Sequence, residues 1–414
     1  MTVLRDENSI SAQARVLIML LNGSLSCDAP GRTYDSEILQ TMEEVDVNAL
    51  ASYVIGQRLT VMVYDRVSEL IEKGETAAAG YGRLEALKGR LERDYYTQMR
   101  LALYQDEGFA KAIDALTEAG SDCMPLKGWE ERKIYPGRIM RSMTDLDILI
   151  RDFDQERLCK VMEELGYTID EITGEKHEVF YNNKGITIEV HRRLNDRLDH
   201  AQKWERDLWD RASVSPEKER LYTMSPEDIM IHHMIHMEAG VVTGTLPVRA
   251  ICDIHCIDKA YPDMDRKYVN EQLEKMDALP FCRQMTKLAN ACFSDEEIDD
   301  DMALLLNYYI GTGLYGRPKL SALGRTAKVS ESHANLNLWR VRIGGIFSPM
   351  EIMKERYPIL KRYPALLPVC WVRRGFKMTI GFIANRHNRN YRVLKGEELK
   401  EMREVLKAAG VLDQ

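Results

Sequence analysis

The stretch Met124–Ile150, MPLKGWEERKIYPGRIMRSMTDLDILI, closes on Asp145-Leu146-Asp147, two carboxylates one residue apart in a run rich in leucine and isoleucine. Side chains at i and i+2 of a strand leave the same face. Asp145 and Asp147 are therefore expected to project together, with Leu146, Ile148 and Ile150 on the opposite, buried face. A third carboxylate, Glu189, stands in a second such run, Ile186-Thr187-Ile188-Glu189-Val190-His191. Acids gathered on one face repel unless a cation lies between them. A divalent metal answers that need, and Mg²⁺ favours carboxylate oxygens together with substrate phosphates.

Upstream of the acid pair, Cys123–Leu126 reads as a short strand running into Lys127-Gly128. Glycine there lets a phosphate approach the backbone, and the N–H groups that open the next helical turn favour anions. Lys127 would add a point charge for the phosphates. Arg141, four residues before Asp145, has two readings: a phosphate or base contact, or a partner for a neighbouring acid. His191 shares its strand face with Glu189, so it either orients that carboxylate, touches substrate, or serves as a hydrogen-bonded structural histidine.

Around this stretch the pattern is mostly helical. Ala14–Leu21, Val47–Glu72 and Gly82–Tyr104 carry apolar residues at three- and four-residue spacing. Phe109–Ala119 reads as a separate amphipathic helix closed by Gly120. Trp129–Ile134 reads as a helical turn, Met143–Ile150 as the acid-bearing strand and Asp154–Leu165 as a helix. Glu178–Tyr181 and Ile186–His191 form a hairpin about Asn182-Asn183-Lys184-Gly185. Ser225-Pro226 opens a further helical region, with Ser225 as N-cap. The expectation is an α+β protein whose small mixed sheet, helices on one face, is embedded between helical regions. The divisions read as 1–108, a helical lobe; 109–214, the sheet-bearing core; 215–310, helices shaping the acceptor side; and 311–414, a C-terminal helical region, entered through a linker at Gly311–Gly324.

The chain has 414 residues, 45% of them hydrophobic, and a net charge of −8. An acidic balance gives no general affinity for polyanions. The eight cysteines are scattered without a ladder of short spacings, which reads as reduced thiols rather than a disulfide framework. The short apolar run Val16–Leu21 follows Asp6 and Glu7, which argues against a signal peptide. No stretch reaches the roughly 18 consecutive apolar residues of a membrane span. A cytoplasmic protein is expected.

As a set, Leu126-Lys127-Gly128, Tyr135-Pro136, Arg141, the strand Asp145–Ile150 and Ile188-Glu189-Val190-His191 resemble the uncharacterised bacterial nucleotidyltransferase family of the DNA polymerase β-like superfamily. His232, His236, Arg249 and Asp253 resemble that family's helical segment, and Tyr357–Arg374 is similar to its C-terminal part. The resemblance implies a minimal nucleotidyltransferase sheet and two-metal chemistry with Mg²⁺ or Mn²⁺. By it, Asp145 and Asp147 bind the metals, Glu189 completes the site that activates the acceptor, and Lys127, Gly128 and Arg141 lie near the phosphates of an NTP. Paired metals roughly 3.5–4 Å apart clamp the attacking and leaving oxygens of an in-line displacement. One departure stands out: the upstream turn is Lys127-Gly128, and Gly128 precedes Asp145 by 17 positions, further than the glycine turn of many superfamily members.

The acceptor is left open between a small hydroxylated molecule, an RNA 3′ end and a protein side chain. Lys361–Lys395 holds nine Lys and Arg and no Asp or Glu, with Tyr363, Trp371, Phe376, Phe382 and Tyr391 interleaved. Such a tract can bind RNA, lie on an anionic membrane, or pair with the acidic remainder of the chain; it tilts the acceptor towards RNA. His232, His233 and His236 with Cys252, His255 and Cys256 have the residue types of a zinc site, although buried cysteine is commonly a plain hydrophobe. A non-catalytic nucleotide-binding module on the same fold is the alternative function.

Overall fold

The computed structural model describes residues 11–26, 35–74, 80–151, 154–172, 177–194, 204–216, 218–244, 247–294, 297–311, 323–324, 350, 353, 357, 359–384 and 396–412. Four helices come first: α1 (Ala12–Leu25), α2 (Asp35–Thr41), α3 (Val47–Gly56) and α4 (Thr60–Glu72). Asp46 caps α3, its carboxylate accepting from the Asn48 and Ala49 N–H groups. Next comes α5 (Tyr81–Glu118), 38 residues without a break. It runs through Gly108, where two helices separated by a junction were expected. A single glycine costs a helix only about 1 kcal/mol, and here it has a packing role. A Cβ on Gly108 would lie 2.7 Å from Ile186 Cδ1 and 2.8 Å from the Tyr167 hydroxyl, so its absence lets the hairpin flank close onto the helix.

The strands are β1 (Asp122–Pro125), β2 (Leu146–Arg151), β3 (Thr168–Ile172), β4 (His177–Tyr181) and β5 (Thr187–His191), ordered β1-β2-β5-β4-β3. β2 and β5 pair in parallel and the other neighbours antiparallel, which makes the sheet mixed. The hairpin β4–β5 forms where expected. Gly185 takes φ +77° in its turn, and the Asn182 side chain accepts from the Lys184 and Ile186 N–H groups. Helix α6 (Gln155–Glu164) returns the chain between β2 and β3, capped by Asp154. The edge strand β3 was not expected, nor was the small ribbon of β6 (Ser213–Val214) and β7 (Tyr222–Thr223).

After the sheet come α7 (Pro226–Thr243), α8 (Arg249–Ala260), α9 (Arg266–Lys275), α10 (Leu279–Phe293) and α11 (Asp300–Gly311), then α12 (Leu367–Ala384) and α13 (Gly396–Ala408). Ser225 caps α7 with Pro226 in its first turn, as its sequence implies. No described helix is long and apolar enough to cross a membrane.

Two large cores organise most of these elements, and a small third cluster includes Cys370 of α12. Leu146, Ile148 and Ile150 of β2, with Ile188 and Val190 of β5, pack under α6 and the C-terminal half of α5. Each fully buried side chain of this size contributes roughly 1.5–3 kcal/mol. The larger core joins the helices that precede the sheet in the chain to those that follow it: residues of α1, α3 and α4 pack with those of α7, α8, α10, α11 and α13. The Asn22 side-chain amide donates to the Cys292 carbonyl, tying α1 to α10. The expected loop at Ala29-Pro30-Gly31, most of the Gly311–Gly324 linker and residues 385–395 of the basic tract lie outside the described residues.

Candidate active site

Alternation along β2 decides which residues face away from the α5–α6 layer. Ile148 and Ile150 go under the helices; Asp147 goes to the other side. Because β2 and β5 are parallel, Asp147 stands opposite Glu189, and Leu149 opposite His191. The His191 Nε2 lies 2.8 Å from Asp147 Oδ1 and 3.6 Å from Glu189 Oε2. Asp147, Glu189 and His191 each offer a ligand atom, and these atoms fall within 4.8 Å of one another. Asp145 sits one residue before β2. It lines the same cleft but stands outside that ligand group, its Oδ1 accepting from the Thr144 hydroxyl at 2.8 Å.

Crowding sets the electrostatics. Burial pushes the Glu189 carboxyl up, the charges of Asp147 and Asp145 push it further, and it reaches about 7. Burial also opposes ionisation of Asp147, which is 6% exposed. There the His191 hydrogen bond and the Lys127 charge outweigh burial and hold the acid far below the usual carboxylate range. His191 is raised, because Asp147 and Glu189 overcome its burial.

The opposite wall comes from α7 and α8. Lys127, Gly128, Asp145, Asp147, His236 and Arg249 all line the cleft. Among the described residues Lys127 is in no ion pair, and its charge acts on both Asp147 and Glu189. It also acts across the cleft: the Lys127 charge, followed by burial, holds His236 well below the ordinary imidazole value. His236 is nevertheless exposed to solvent, through the cleft that it lines. One turn earlier, burial and then Lys127 push His232 down to about 3.

The other expected phosphate contacts are already engaged. Gly128 takes φ +92°, and its N–H donates to Glu131 Oε2 at 3.0 Å. Arg141 is buried and forked onto Asp253, Nε to Oδ1 at 2.7 Å and Nη2 to Oδ2 at 2.9 Å, and Nη2 also donates to Glu131. Arg141 thus pairs with acids, buried ones distant in sequence, and it also lines the cleft. Arg249 donates to the Ser142 carbonyl at the cleft wall.

Glu131 and His236 are the site residues that sequence reasoning missed. Glu131 had no pattern to mark it. His236 was visible as half of an i, i+4 pair with His232 and was named both in the family's helical segment and among the zinc-type residues, but it was given no role in the site. Among the described residues neither group with metal-ligand spacing contains a cysteine. Burial raises the Cys252 and Cys256 thiols well above the ordinary range, as expected of hydrophobic core residues.

The family model described as uncharacterised nucleotidyltransferase matches residues 43–294, more than half of the chain. The protein belongs to this nucleotidyltransferase family. The matched span contains the whole five-stranded sheet, the acids of β2 and β5, and the α7–α8 wall, so both sides of the family member's cleft lie within it. No curated protein and no solved structure matches the chain.

Proposed function

We propose that the protein transfers a nucleotidyl group from an NTP to a hydroxyl of an acceptor, with release of pyrophosphate, using Mg²⁺ or Mn²⁺, on the plan of the DNA polymerase β-like enzymes. The observation that carries this reading is the parallel register of Asp147 with Glu189 on the cleft face, with Asp145 at the strand entrance and Lys127 beside them.

The donor set fits a hard divalent cation. Two carboxylates and an imidazole have ligand atoms within 4.8 Å of one another, and a third carboxylate adds its charge. Asp145, Asp147 and Glu189 are the residues proposed to hold the metal, with His191 orienting Asp147. When bound, such an ion neutralises charge on the phosphates and makes an acceptor hydroxyl more acidic. Lys127 supplies the protein's own cation for the triphosphate. Arg141 and Gly128 act on the phosphates indirectly, by shaping the turn that carries Lys127. On the far wall His236 is neutral at physiological pH and open to the cleft, so it can accept the proton of the attacking hydroxyl. The acceptor is a small molecule, RNA or protein.

The test is incubation of the pure protein with each NTP radiolabelled at the α-phosphate, Mg²⁺ or Mn²⁺, and either total RNA or cell lysate. Label is expected in one acceptor class, and it should vanish in Asp145→Asn and Asp147→Asn proteins that retain the native circular dichroism spectrum. Transfer undiminished in either variant refutes the site. Metal-dependent NTP binding with no transfer to any acceptor would favour the non-catalytic module.

A further inference from the structure

A second group of two acids and a histidine is built into the inner wall of the cleft, which His233 and Asp253 line: Glu131, His233 and Asp253, with ligand atoms within 4.8 Å of one another. Unlike the first group it is already supplied with a cation, because the Arg141 guanidinium bonds both of its carboxylates. The histidine is the informative member. His233 Nδ1 lies 3.0 Å from Glu131 Oε1, and Nε2 lies 2.9 Å from the Ala250 carbonyl oxygen. Both neighbours are acceptors. A neutral imidazole carries one N–H and would set its bare nitrogen against an oxygen lone pair; only the imidazolium satisfies both contacts.

We propose that His233 is a standing imidazolium within a closed, charge-neutral lock, and that this lock positions the Lys127-Gly128 turn for the NTP triphosphate. The charges balance: Glu131 and Asp253 contribute two negatives, Arg141 and His233 two positives. The Tyr135 hydroxyl donates to Asp253 Oδ1 at 2.6 Å. All five side chains are buried. Glu131 is the hub. One oxygen meets His233; the other accepts from Arg141 and from the Gly128 N–H. The backbone that presents Lys127 therefore hangs on a carboxylate whose place is fixed by two cations. Gly128 is also confined sterically, since a Cβ there would lie 3.2 Å from Arg141 Nη1.

The groups facing His233 are Glu131 from the turn before the acid strand and Asp253 from α8, with Arg141 behind both carboxylates and His232 beside it on α7. The two acids hold the His233 proton above the ordinary imidazole value of 6.5 against the effect of burial. With the folded value raised, the lock is complete below 6.5 and opens as pH rises through the folded value. The expected consequence is an alkaline loss of NTP affinity, not an acidic one. Glu131 and His233 act through the Lys127-Gly128 turn, as positioning residues. This inference rests on the reading of the cleft as an NTP site, but the state of His233 can be measured without any nucleotide.

The experiment has two arms on the full chain. In the first, the protein is labelled with ¹⁵N-histidine and its ring nitrogens are observed by NMR, with His233→Asn identifying the resonance. Both His233 nitrogens are expected in the protonated range at neutral pH. A bare, pyridine-type nitrogen on His233 overturns the proposal. In the second arm, Mg-ATP and Mn²⁺ alone are titrated into wild type, Glu131→Gln and His233→Asn by calorimetry across pH. Mg-ATP affinity is expected to fall about tenfold in both variants, with Mn²⁺ affinity within twofold, and the alkaline limb of wild type should be absent from His233→Asn. Equal Mg-ATP affinity in all three proteins overturns the positioning role. Failure of wild type to bind any NTP would instead sink the transferase reading of the cleft, and the positioning role with it, while the first arm would still decide the charge of His233.

Discussion

Glu189 allows a quantitative test of the metal reading. Its carboxyl titrates near 7 because burial, Asp147 and Asp145 all oppose its ionisation. A divalent cation takes the carboxylate form, so binding must displace the proton wherever Glu189 holds one. With a value of about 7, roughly one-eleventh of Glu189 is ionised at pH 6 and ten-elevenths at pH 8. The intrinsic affinity is scaled by that fraction, so Mn²⁺ should bind about tenfold more tightly at pH 8 than at pH 6, a difference of about 1.4 kcal/mol. Calorimetry in two buffers of different ionisation enthalpy reads the protons directly. About 0.9 proton should leave per ion at pH 6 and about 0.1 at pH 8. Release near two at pH 6 would mean that His191 also gives up its proton and enters the metal shell. The sign for stability is the reverse of the common carboxylate case. A raised folded value means that the metal-free protein loses stability as pH climbs from the ordinary carboxylate range through about 7, and Mn²⁺ should return it. Affinity that stays flat from pH 6 to pH 8, with no proton released, would refute the crowding argument and with it the assignment of Glu189 to the ion.

Three further outcomes are expected. His236→Ala should lower nucleotidyl transfer roughly a hundredfold with Mn²⁺ affinity unchanged; because Lys127 keeps His236 neutral, the acidic limb of the wild-type rate should follow Glu189 and persist in the variant's residual activity. Arg141→Met removes the cation between two buried carboxylates and should cost about 3–5 kcal/mol, read as a lower urea midpoint. If the stretch from Lys361 onward binds RNA, transfer RNA should be retained in filter binding with a steep salt dependence, lost when Arg373, Arg374 and Lys377 are neutralised; no retention at low salt removes RNA as a partner of that stretch.

What the sequence discloses here is what short-range chemistry writes into it. The acid pair, the strand alternation around it, the Asn182–Gly185 turn and the caps at Asp154 and Ser225 each depend on residues a few positions apart, and each can be read directly. Strand β3 was missed because Thr168-Ile169-Asp170-Glu171-Ile172 is an edge strand with two apolar residues, too few to give a period. The continuity of α5 was missed because glycine is an ambiguous signal: Gly108 marks a close approach by Ile186 and Tyr167, which lie far along the chain. Arg141 gives the sharpest case. Its partner Asp253 is 112 positions away, and Glu131 is 102 from His233. No local pattern announces those pairs; they exist because α7 and α8 fold back against the turn before β2.

The two acid–histidine groups, side by side, explain why one is a candidate metal centre and the other is not. Each has two carboxylates and one imidazole at ligand spacing. At the inner wall of the cleft, Arg141 lies among the acids, His233 is bonded on both sides, and the charges cancel. In the cleft Arg249 and Arg141 line the wall, but among the described residues no guanidinium is ion-paired to Asp145, Asp147 or Glu189. Among the described residues Asp147 is paired with His191, Asp145 adds a third acid, and burial together with those two acids leaves Glu189 protonated up to about 7. Lys127, which among the described residues is in no ion pair, acts on both Asp147 and Glu189. Side-chain chemistry is thus nearly the same in the two places, and the difference lies in the presence of a resident cation. A buried group that is already neutral gains little from an ion and would have to displace a forked guanidinium to admit one. An open group with excess negative charge on a solvent-accessible face gains the full Coulombic interaction. The Arg141 network therefore does more than brace the fold: by satisfying its own acids it leaves the acids of the β2–β5 face as the place proposed for a divalent ion and a triphosphate.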